Sequence, residues 1–324
     1  MTPTLRDLPP PPMGKTGWPW TEETPPATGT AWPRITLVTP SYNQGRYVEE
    51  TIRSVLLQGY PNLEYLVFDG GSTDETVEIL RRYEPWITRW ASERDRGQTH
   101  AIAKGLEAAT GVLFNWINSD DQLAPGALHE VGRIWARERP HLVVGRAHTL
   151  DAHDRRLVHE WGARAPRRPT DFLKPNAVVL AQPSTYLSTA TLREIGGVRE
   201  ELHYVMDWEL YLRATLHLRG ALRSAETDVL LSTALAHPDA KTTASPAAFG
   251  EEVKRVVRES RPRWRRGEWL RMSSRIRRME AQAAVGAALE GEAHPLPGIA
   301  RLAFRYPDVL GSRFWWGGLR RAIR

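Results

Sequence analysis

The segment ITLVTPSYNQGRYVEETIRSVLLQGYPNLEYLVFDGGSTDETVEIL, residues 35–80, decides the fold class. It opens with a short apolar run at residues 35–39, which predicts a buried strand. Apolar residues then recur at helical spacing between positions 48 and 56, and a second apolar run at residues 63–68 predicts the next strand. Strands that alternate with helices at this spacing predict a mostly parallel sheet with helices on both faces.

The alternation continues beyond this segment. Residues 88–92 and 112–117 predict two further strands, and residues 97–109 predict the helix between them. Pro125 is expected in the first turn of another helix, where a missing N–H is tolerated.

After residue 140 the periodicity is weaker, and the sequence has no internal repeats. We expect a strand at 142–150, a loop or hairpin at 151–169, a strand-rich stretch at 176–188, a short helix at 192–195 and a helix at 207–216.

Each strand of the first half is followed by a polar or glycine-containing cluster. The clusters are Pro40-Ser41-Tyr42-Asn43, Asp69-Gly70-Gly71-Ser72, Glu93-Arg94-Asp95-Arg96-Gly97 and Asn118-Ser119-Asp120-Asp121. In open parallel sheets ligands bind beyond the carboxyl ends of the strands, so we expect these clusters to converge on one edge of the sheet.

The composition excludes several classes of protein. At 324 residues, 41% hydrophobic and 25% charged, the chain has enough apolar material for a folded core. It has no cysteine, which excludes disulfide frameworks, thiolate zinc sites, iron–sulfur clusters and cysteine nucleophiles. The sequence has no run of 18 apolar residues that would predict a transmembrane helix, and its N-terminus lacks the pattern of a secretory signal. We therefore expect a cytoplasmic protein.

The two ends differ from the middle of the chain. Residues 1–34 hold 9 of the 24 prolines, which predicts an extended leader that packs on the domain through Trp18 and Trp20. Residues 251–324 carry a net charge of +9, whereas the rest of the chain carries −3. Arginine interleaved with tryptophan suits a membrane surface, and basic helices packed on the domain or at an oligomer contact are an equal alternative. A protein that binds nucleic acid over its whole surface would spread its charge differently.

Two adjacent carboxylates, Asp120 and Asp121, follow a predicted strand. They repel each other unless a cation lies beside them, and hard oxygen ligands suit Mg²⁺ or Mn²⁺. The alternative is an ordinary capping turn at the start of a helix.

Two other clusters suit a nucleotide. Asp69 can accept hydrogen bonds from a ribose or a base, and the glycines after it let a flat ligand approach the backbone. Alternatively this segment is a plain link to a helix that a capping box of Ser72 and Glu75 opens. Arg96 lies at a predicted helix N-terminus, where it can pair with phosphate or form a surface salt bridge. The glycine spacing differs from the dinucleotide fingerprint, which disfavours an NAD-dependent oxidoreductase.

Together these segments resemble a known family. Residues 35–80, then SERDRGQTHAIAKGLEAATG at 92–111 and NWINSDDQLAPGAL at 115–128, are similar to the nucleotide-sugar half of family 2 glycosyltransferases. The resemblance is close over residues 35–130 and looser over 131–245. It implies the GT-A fold, a Rossmann-like sheet flanked by helices, and an inverting reaction on a nucleotide-sugar.

The resemblance also implies the binding residues. It places Pro40, Ser41, Tyr42 and Asp69 along the nucleoside and Arg96 near the donor phosphates. The polar clusters that carry the resemblance add Asn43, Gly70, Ser72, Asp95, Gly97, Gln98 and Asn118 to the expected nucleotide-sugar site, and Lys241 could pair with the diphosphate. Asn118 replaces the first aspartate of the family's Asp-x-Asp metal motif, which shifts metal binding onto Asp120 and Asp121. A histidine that the family often places near the diphosphate or metal matches His237, the third expected metal ligand.

The segment HYVMDWEL at residues 203–210 resembles the part of the family that carries the catalytic base. The family's Glu-Asp pair is Met206-Asp207 here, so Asp207 matches the base. Inversion needs a carboxylate opposite the leaving diphosphate that removes the proton of the acceptor hydroxyl. Glu209 is the alternative base, and a helix-capping role is the alternative for Asp207.

These observations predict three regions and one function. Residues 1–34 are a leader, 35–245 a GT-A catalytic domain, and 246–324 a basic helical extension. Within the catalytic domain, 35–125 is the nucleotide-sugar half and 126–245 the acceptor half. We expect an inverting hexosyltransferase-type enzyme of polysaccharide or cell-envelope synthesis that uses Mn²⁺ or Mg²⁺ and a UDP-sugar.

The expected partners are the nucleotide-sugar and a glycan or lipid-linked acceptor, with Gln182 and Trp208 as acceptor-site residues. No nucleic acid is expected, a peripheral position at the inner face of the cell membrane is considered, and a homo-oligomer is left open. Two other classes stay in view. One is a non-catalytic scaffold that binds sugar-nucleotide or glycan, suggested by Asn118 and Met206; the other is a nucleotidyltransferase.

Overall fold

The computed structural model describes residues 2–29, 31–173, 177–237 and 246–291. The chain divides into two compact units, Met1–Glu252 and Val253–Arg324. The strands are β1 Ile35–Ser41, β2 Leu63–Asp69, β3 Arg89–Ser92, β4 Leu113–Trp116, β5 Gln122–Leu123, β6 Leu142–Asp151, β7 Leu157–Trp161, β8 Thr185–Ser188 and β9 Ser224–Ala236. The helices are α1 Gly45–Leu56, α2 Thr76–Tyr83, α3 Gln98–Ala108, α4 Ala127–Glu138, α5 Thr189–Glu194, α6 Met206–Leu218, α7 Pro246–Ser260 and α8 Arg266–Gly291.

Strands β1 to β4 form the parallel half of the sheet, in the order β3-β2-β1-β4. β1 continues through Pro40 to Ser41, two residues beyond the predicted end. Ser41 pairs with Asp69, and Asp69 pairs with Ser92, so three strands end at the same level. The loops that follow these strands therefore start side by side, as the polar clusters predict.

The hydrophobic core lies between the parallel half and the helices on one face. Leu37 and Val67 from the strands pack with Ile52 of α1, Leu80 of α2 and Val131 of α4. All five side chains are buried, which is the environment that a fully covered parallel sheet requires.

Antiparallel pairs are confined to the second half of the sheet. There β8 is antiparallel to both β4 and β6, β5 to β9, and β7 to β6, whereas β6 and β9 are parallel. The α/β sheet flanked by helices is confirmed, but the described strand pairs divide evenly into four parallel and four antiparallel pairs. Where a loop or hairpin is expected at 151–169, β6 and β7 form a hairpin. The strand-rich stretch at 176–188 is reduced to β8 and a 3-10 turn at Gln182–Ser184.

The long strand β9 has no counterpart in the sequence-based prediction. Its register against β6 shifts twice, between Val144 and Arg146 and between Arg146 and Ala147. These irregularities break the two-residue alternation of buried and exposed side chains by which a strand is recognised.

Two predicted helix starts are wrong. Ser72 and Glu75 do not form a capping box, because α2 begins at Thr76 and Glu75 makes no side-chain cap. The Ser72 hydroxyl instead bonds to Asp69. Pro125 lies two residues before α4, whose N-terminal cap is Gly126 in the left-handed conformation at φ 74°.

The leader is tied to α1 through one buried cation. Arg53 is fully buried, and its guanidinium donates to the carbonyls of Pro9 (2.8 Å), Pro19 (3.0 Å) and Trp20 (3.0 Å). A fourth bond of 3.0 Å reaches the hydroxyl of Tyr83 in α2. A buried charge needs such partners, so the leader carbonyls are part of the environment that keeps Arg53 inside the fold.

Helices α7 and α8 form the described part of the predicted basic extension. Within the described ranges, no helix combines the length and the apolar composition that a membrane crossing requires. The arginine- and tryptophan-rich segment at 313–324 and the predicted phosphate-binding Lys241 lie outside the described residues.

Candidate active site

Asp69 organises the loop after β2. Its carboxylate accepts the N–H groups of Gly71 (3.1 Å) and Ser72 (2.8 Å) and the hydroxyls of Ser72 and Ser92. The side chain is buried, so these bonds replace the water that a carboxylate would otherwise bind. Asp69 therefore shapes the loop itself, in addition to the nucleoside contact that the resemblance implies.

The loop after β1 is joined to the loop after β2 by Asn43. Its N–H donates to the Ser72 hydroxyl (2.7 Å), and its side-chain oxygen accepts the Thr73 N–H (2.9 Å). Asn43 has φ 50°, a left-handed conformation that asparagine tolerates better than most residues. The two bonds bring the first two predicted clusters together.

Gly70 forms a narrow floor between two predicted pocket residues. A Cβ atom at Gly70 would lie 3.1 Å from the Asp95 carboxylate oxygen and 3.3 Å from a ring carbon of Tyr42. The Tyr42 side chain is 60% exposed, and the buried hydroxyl of Ser41 has no hydrogen-bond partner among the described residues. An aromatic ring stacked beside Tyr42 would therefore contact the backbone of Gly70. The Ser41 hydroxyl, which precedes Tyr42 in the sequence, could hydrogen-bond to the same ligand. Pro40 lies within β1 opposite Phe68.

The third cluster opens α3. Gly97 has φ 109°, a conformation that only glycine adopts readily, and its N–H donates to Asp95 (2.7 Å). Gln98 then reaches the fourth cluster, because its amide donates to the Asn118 side-chain oxygen (2.6 Å). Arg96 is mostly exposed and pairs with Glu200 (2.5 Å). The expected surface salt bridge is thus present, on the residue that the resemblance places near phosphate.

The fourth cluster contains the expected metal carboxylates. The Asn118 amide donates to Asp121 (3.0 Å), which is buried. Burial, and then the neighbouring charge of Asp120, raise the pKa of the Asp121 carboxyl well above its usual range. Two carboxylates that repel each other in this way form an environment that a divalent cation would stabilise.

His237 joins Asp120 from the end of β9. Its Nε2 lies 2.9 Å from the Asp120 carboxylate, and its ring stacks on Tyr47 of α1 at 5.1 Å between centroids. The Nδ1 atom is buried and has no hydrogen-bond partner among the described residues. The sequence separates Asp120 and His237 by 117 positions, and the fold brings them into direct contact.

The three expected metal ligands are not equivalent. In the part of the chain that the structure describes, no three His, Asp or Glu side chains are grouped closely enough to hold a metal ion. Asp120 and His237 form a pair, whereas Asp121 is bonded to Asn118. One carboxylate and one imidazole, with phosphate oxygens and water to complete the shell, still fit the donor set of Mn²⁺ or Mg²⁺.

Asp207 lies in the first turn of α6. The start of α3 contacts this turn through Thr99 and contacts the fourth cluster through Gln98. The Thr99 hydroxyl, next to Gln98, contacts the Leu202 carbonyl (3.0 Å) and the Met206 sulfur (3.0 Å). Burial raises the pKa of the Asp207 carboxyl, and a hydrogen bond from the Trp208 N–H (2.7 Å) opposes the rise. Asp207 is thus a half-buried carboxylate in the segment that Thr99 joins to α3.

Glu209, the alternative base, has a structural partner. Both of its oxygens accept hydrogen bonds from Arg213 (2.8 Å each), and the two side chains are 5% and 7% exposed. Arg213 also donates to the Ile195 and Gly197 carbonyls. This buried ion pair stabilises α6 and occupies both Glu209 oxygens. Asp207 is therefore the better candidate for the base.

The two expected acceptor-site residues differ in their surroundings. Gln182 is buried, and its amide donates to the Asn115 side chain (3.0 Å) and the Trp116 carbonyl (2.7 Å), which makes it a brace for β4. Trp208 is partly exposed and packs edge-to-face against Phe172 at 6.0 Å. Only Trp208 keeps surface that an acceptor could touch.

Several residues of this edge were missed by sequence reasoning. Ser92 bonds Asp69, Tyr47 stacks on His237, Thr99 links α3 to α6, and Glu252 bonds the segment before α6. Ser92 ends a predicted strand, so the convergence argument could have found it. The other three carry no local signal because their partners are distant in sequence.

Comparisons with known proteins agree with this architecture. The family model described as glycosyl transferase family 2 matches residues 36–195. TuaG of Bacillus subtilis, a putative teichuronic acid biosynthesis glycosyltransferase, is 39% identical over 97 residues, which are 29% of this chain and 38% of TuaG. An uncharacterised glycosyltransferase of Mycobacterium tuberculosis is 26% identical over 192 residues, 58% of this chain and 71% of that protein.

Two solved structures share the fold. TarS of S. aureus in complex with UDP-GlcNAc has a TM-score of 0.62 at 16% identity, over 90% of this chain and 88% of that chain. The mannosyltransferase PcManGT of Pyrobaculum calidifontis in complex with GDP-Man and Mn²⁺ has a TM-score of 0.55 at 18% identity, over 93% and 88%. The expectations of a family 2 glycosyltransferase and of the GT-A fold are confirmed. Residues 36–195 of this chain therefore form a glycosyl transferase family 2 domain, and the fold that carries it is GT-A.

Proposed function

We propose that this chain is an inverting glycosyltransferase that moves a sugar from a UDP-sugar to a hydroxyl of a glycan or lipid-linked acceptor. The observation that carries the proposal is that hydrogen bonds through β3 and the start of α3 link three groups of expected site residues. They are the loop shaped by Asp69, the Asp120–His237 pair, and Asp207 beside α3. The names of TuaG and TarS, and the nucleotides bound in TarS and PcManGT, support this choice.

The donor would bind along the loops after β1, β2 and β3. Tyr42 and Asp95 both lie close to Gly70, since a Cβ atom there would be 3.1 Å from Asp95 and 3.3 Å from Tyr42. The exposed ring of Tyr42 would stack on the base. Arg96 lies at the N-terminus of α3, where a guanidinium and free N–H groups both favour a phosphate. Pairing with phosphate would require Arg96 to leave Glu200, which is an exchange between two exposed ion pairs.

A divalent cation would be held by Asp120 and His237 together with the diphosphate. When bound, it would offset the negative charge that develops on the leaving diphosphate. Tyr47 keeps the His237 ring in one plane, and the hydrogen bond from Asn118 holds Asp121 beside Asp120.

Asp207 would act as the base. Its carboxylate accepts the proton of the acceptor hydroxyl while that oxygen attacks the anomeric carbon from the face opposite the diphosphate. The raised pKa makes the carboxylate a stronger base than an exposed aspartate, while the Trp208 N–H orients one of its oxygens.

The first experiment measures thermal stability with UDP, GDP, CDP and dTDP, with and without Mn²⁺. A ligand at about 100 times its Kd stabilises by roughly 2.7 kcal/mol, which moves the midpoint by several degrees in a protein of this size. We expect a shift that needs both UDP and Mn²⁺ and is lost in Asp120→Asn. A protein that no nucleotide stabilises would contradict the donor assignment.

The second experiment separates catalysis from binding. Release of UDP from UDP-sugars should require Asp207 and should rise when glycan or lipid-linked acceptors are added. Donor binding without turnover would instead favour the scaffold suggested by Asn118 and Met206. Binding of residues 251–324 to anionic vesicles tests the proposed membrane contact separately.

A further inference from the structure

The segment that leads into α6 is held by a carboxylate from far along the chain. Glu252 accepts the backbone N–H of His203 with one oxygen (2.8 Å). Its other oxygen accepts the N–H groups of Tyr204 (2.7 Å) and Val205 (3.2 Å). Three consecutive peptide groups are therefore bound by one side chain, with hydrogen bonds that its negative charge strengthens.

These three peptides determine where the first turn of α6 begins. Val205 is the N-terminal cap residue, and its carbonyl accepts the Glu209 N–H (2.8 Å). Asp207 lies two residues after this cap. Because both Glu252 oxygens are engaged, the segment cannot rotate about a single hydrogen bond. A shift of the segment would move the Asp207 carboxylate with it.

The other contacts of this segment act on neighbouring residues. Thr99 contacts the Leu202 carbonyl and the Met206 sulfur. Glu252 thus fixes the backbone between these two points, where His203 is exposed to solvent. The base is positioned from α3 by side-chain contacts and from Glu252 by backbone contacts.

We propose that Glu252 is a positioning residue that sets the catalytic geometry of Asp207. The inference rests on the proposed function, in which Asp207 is the base. Glu252 lies outside residues 36–195, and outside the predicted catalytic domain that ends at residue 245. A catalytic unit cut at that boundary would keep all of the predicted site residues and lose this support.

The test uses full-length Glu252→Ala, with Glu251→Ala as the control for loss of an acidic residue in the same turn of α7. UDP release from UDP-GlcNAc is measured with water as acceptor. A displacement of about 1 Å at a reacting group costs on the order of 100-fold in rate. We expect kcat to fall by about 10- to 100-fold in Glu252→Ala, with the donor KM within about twofold of the parent. Glu251→Ala should retain the parent values.

A double-mutant cycle shows whether Glu252 acts through Asp207. In the Asp207→Asn background, Glu252→Ala should cause little further loss of the residual UDP release, because the group it positions is gone. Glu252→Gln, which keeps one acceptor oxygen, should restore part of the activity. Hydrogen exchange of the amides at 203–205 should accelerate in Glu252→Ala.

Two results would overturn the inference. One is an unchanged kcat in Glu252→Ala when the parent is active. The other is a parallel fall of kcat, donor affinity and melting midpoint, which would make Glu252 a residue of general stability. If the parent itself neither binds UDP nor releases it, the proposed function fails first, and hydrogen exchange still reports whether Glu252 fixes the segment.

Discussion

Asp207→Asn and Glu209→Gln should separate activity from stability, although the two carboxylates lie two residues apart in α6. Asp207 has a raised pKa because burial penalises its charge. Its native state holds a proton more tightly than the unfolded chain, so ionisation of Asp207 lowers stability as the pH rises above the ordinary pKa of about 3.9. A neutral asparagine removes that penalty at pH 7.

Asp207→Asn should mainly lose activity, whereas Glu209→Gln should mainly lose stability. Asp207→Asn should lower kcat by about 10²- to 10⁴-fold, the usual contribution of a general base, with a melting midpoint equal to or above that of the parent. Glu209→Gln leaves the buried Arg213 with a neutral partner. Breaking a buried pair costs about 3–5 kcal/mol, and the carbonyls of Ile195 and Gly197 retain two of the Arg213 bonds, so we expect about 3 kcal/mol. That corresponds to a fall of roughly 6–12 °C in the midpoint.

Both variants are compared by UDP release and by thermal unfolding at pH 4, near the ordinary pKa of about 3.9 for an aspartate, and at pH 8. The parent kcat should rise with pH through the raised pKa of Asp207, and the stability advantage of Asp207→Asn should be larger at pH 8. The reasoning is refuted if Glu209→Gln loses activity without losing stability, or if Asp207→Asn turns over the donor at the parent rate.

Three further changes test other parts of the site and fold. Gly70→Ala should weaken UDP binding by about tenfold with a small change in melting midpoint, because the new methyl would lie 3.1 Å from Asp95. Titration calorimetry measures the Kd, and an unchanged value would show that UDP does not bind against Gly70. Glu200→Gln should tighten UDP binding a few-fold by releasing Arg96, and weaker binding would argue against a phosphate role for Arg96. Arg53→Met should destabilise the protein by about 3–5 kcal/mol, because three leader carbonyls lose their donor and each unsatisfied buried acceptor costs about 1–3 kcal/mol. The leader should then become accessible to trypsin, whereas protection equal to the parent's would show that other contacts hold it.

The first half of the fold could be predicted because its signals are local. Strands β1, β2 and β4 are short apolar runs, each followed by a polar cluster, and the equal level of Ser41, Asp69 and Ser92 follows from parallel pairing. β9 could not be predicted, because its register shifts disturb the alternation of its side chains. His237 was predicted only through the family resemblance, since its contacts with Asp120 and Tyr47 depend on where β9 ends.

Glu252 illustrates a different limit. A glutamate in a helix of a basic region is ordinarily a solvated side chain, and its pattern in the sequence gives no sign of another role. Its function in the fold comes from three peptide N–H groups some 47 to 49 positions earlier. Backbone donors are the same in every sequence, so no pattern of residue types could have predicted which of them Glu252 would bind.

The two departures from the family pattern, Asn118 and Met206, acquire a shared explanation from the structure. Asn118 accepts the Gln98 amide and donates to Asp121, where an aspartate would place a third carboxyl group beside Asp120 and Asp121. Met206 receives the Thr99 hydroxyl at its sulfur and is buried. Both side chains therefore bond to the first turn of α3, between the donor loops and α6. The replacements change how the donor and base segments are joined, and they leave the Asp120–His237 pair and the Asp207 carboxylate in place. In the structure, Asn118 and Met206 are therefore weaker evidence against catalysis than they are in the sequence alone. Comparing the residual activity of Asp207→Asn with the activity of the parent tests catalysis directly.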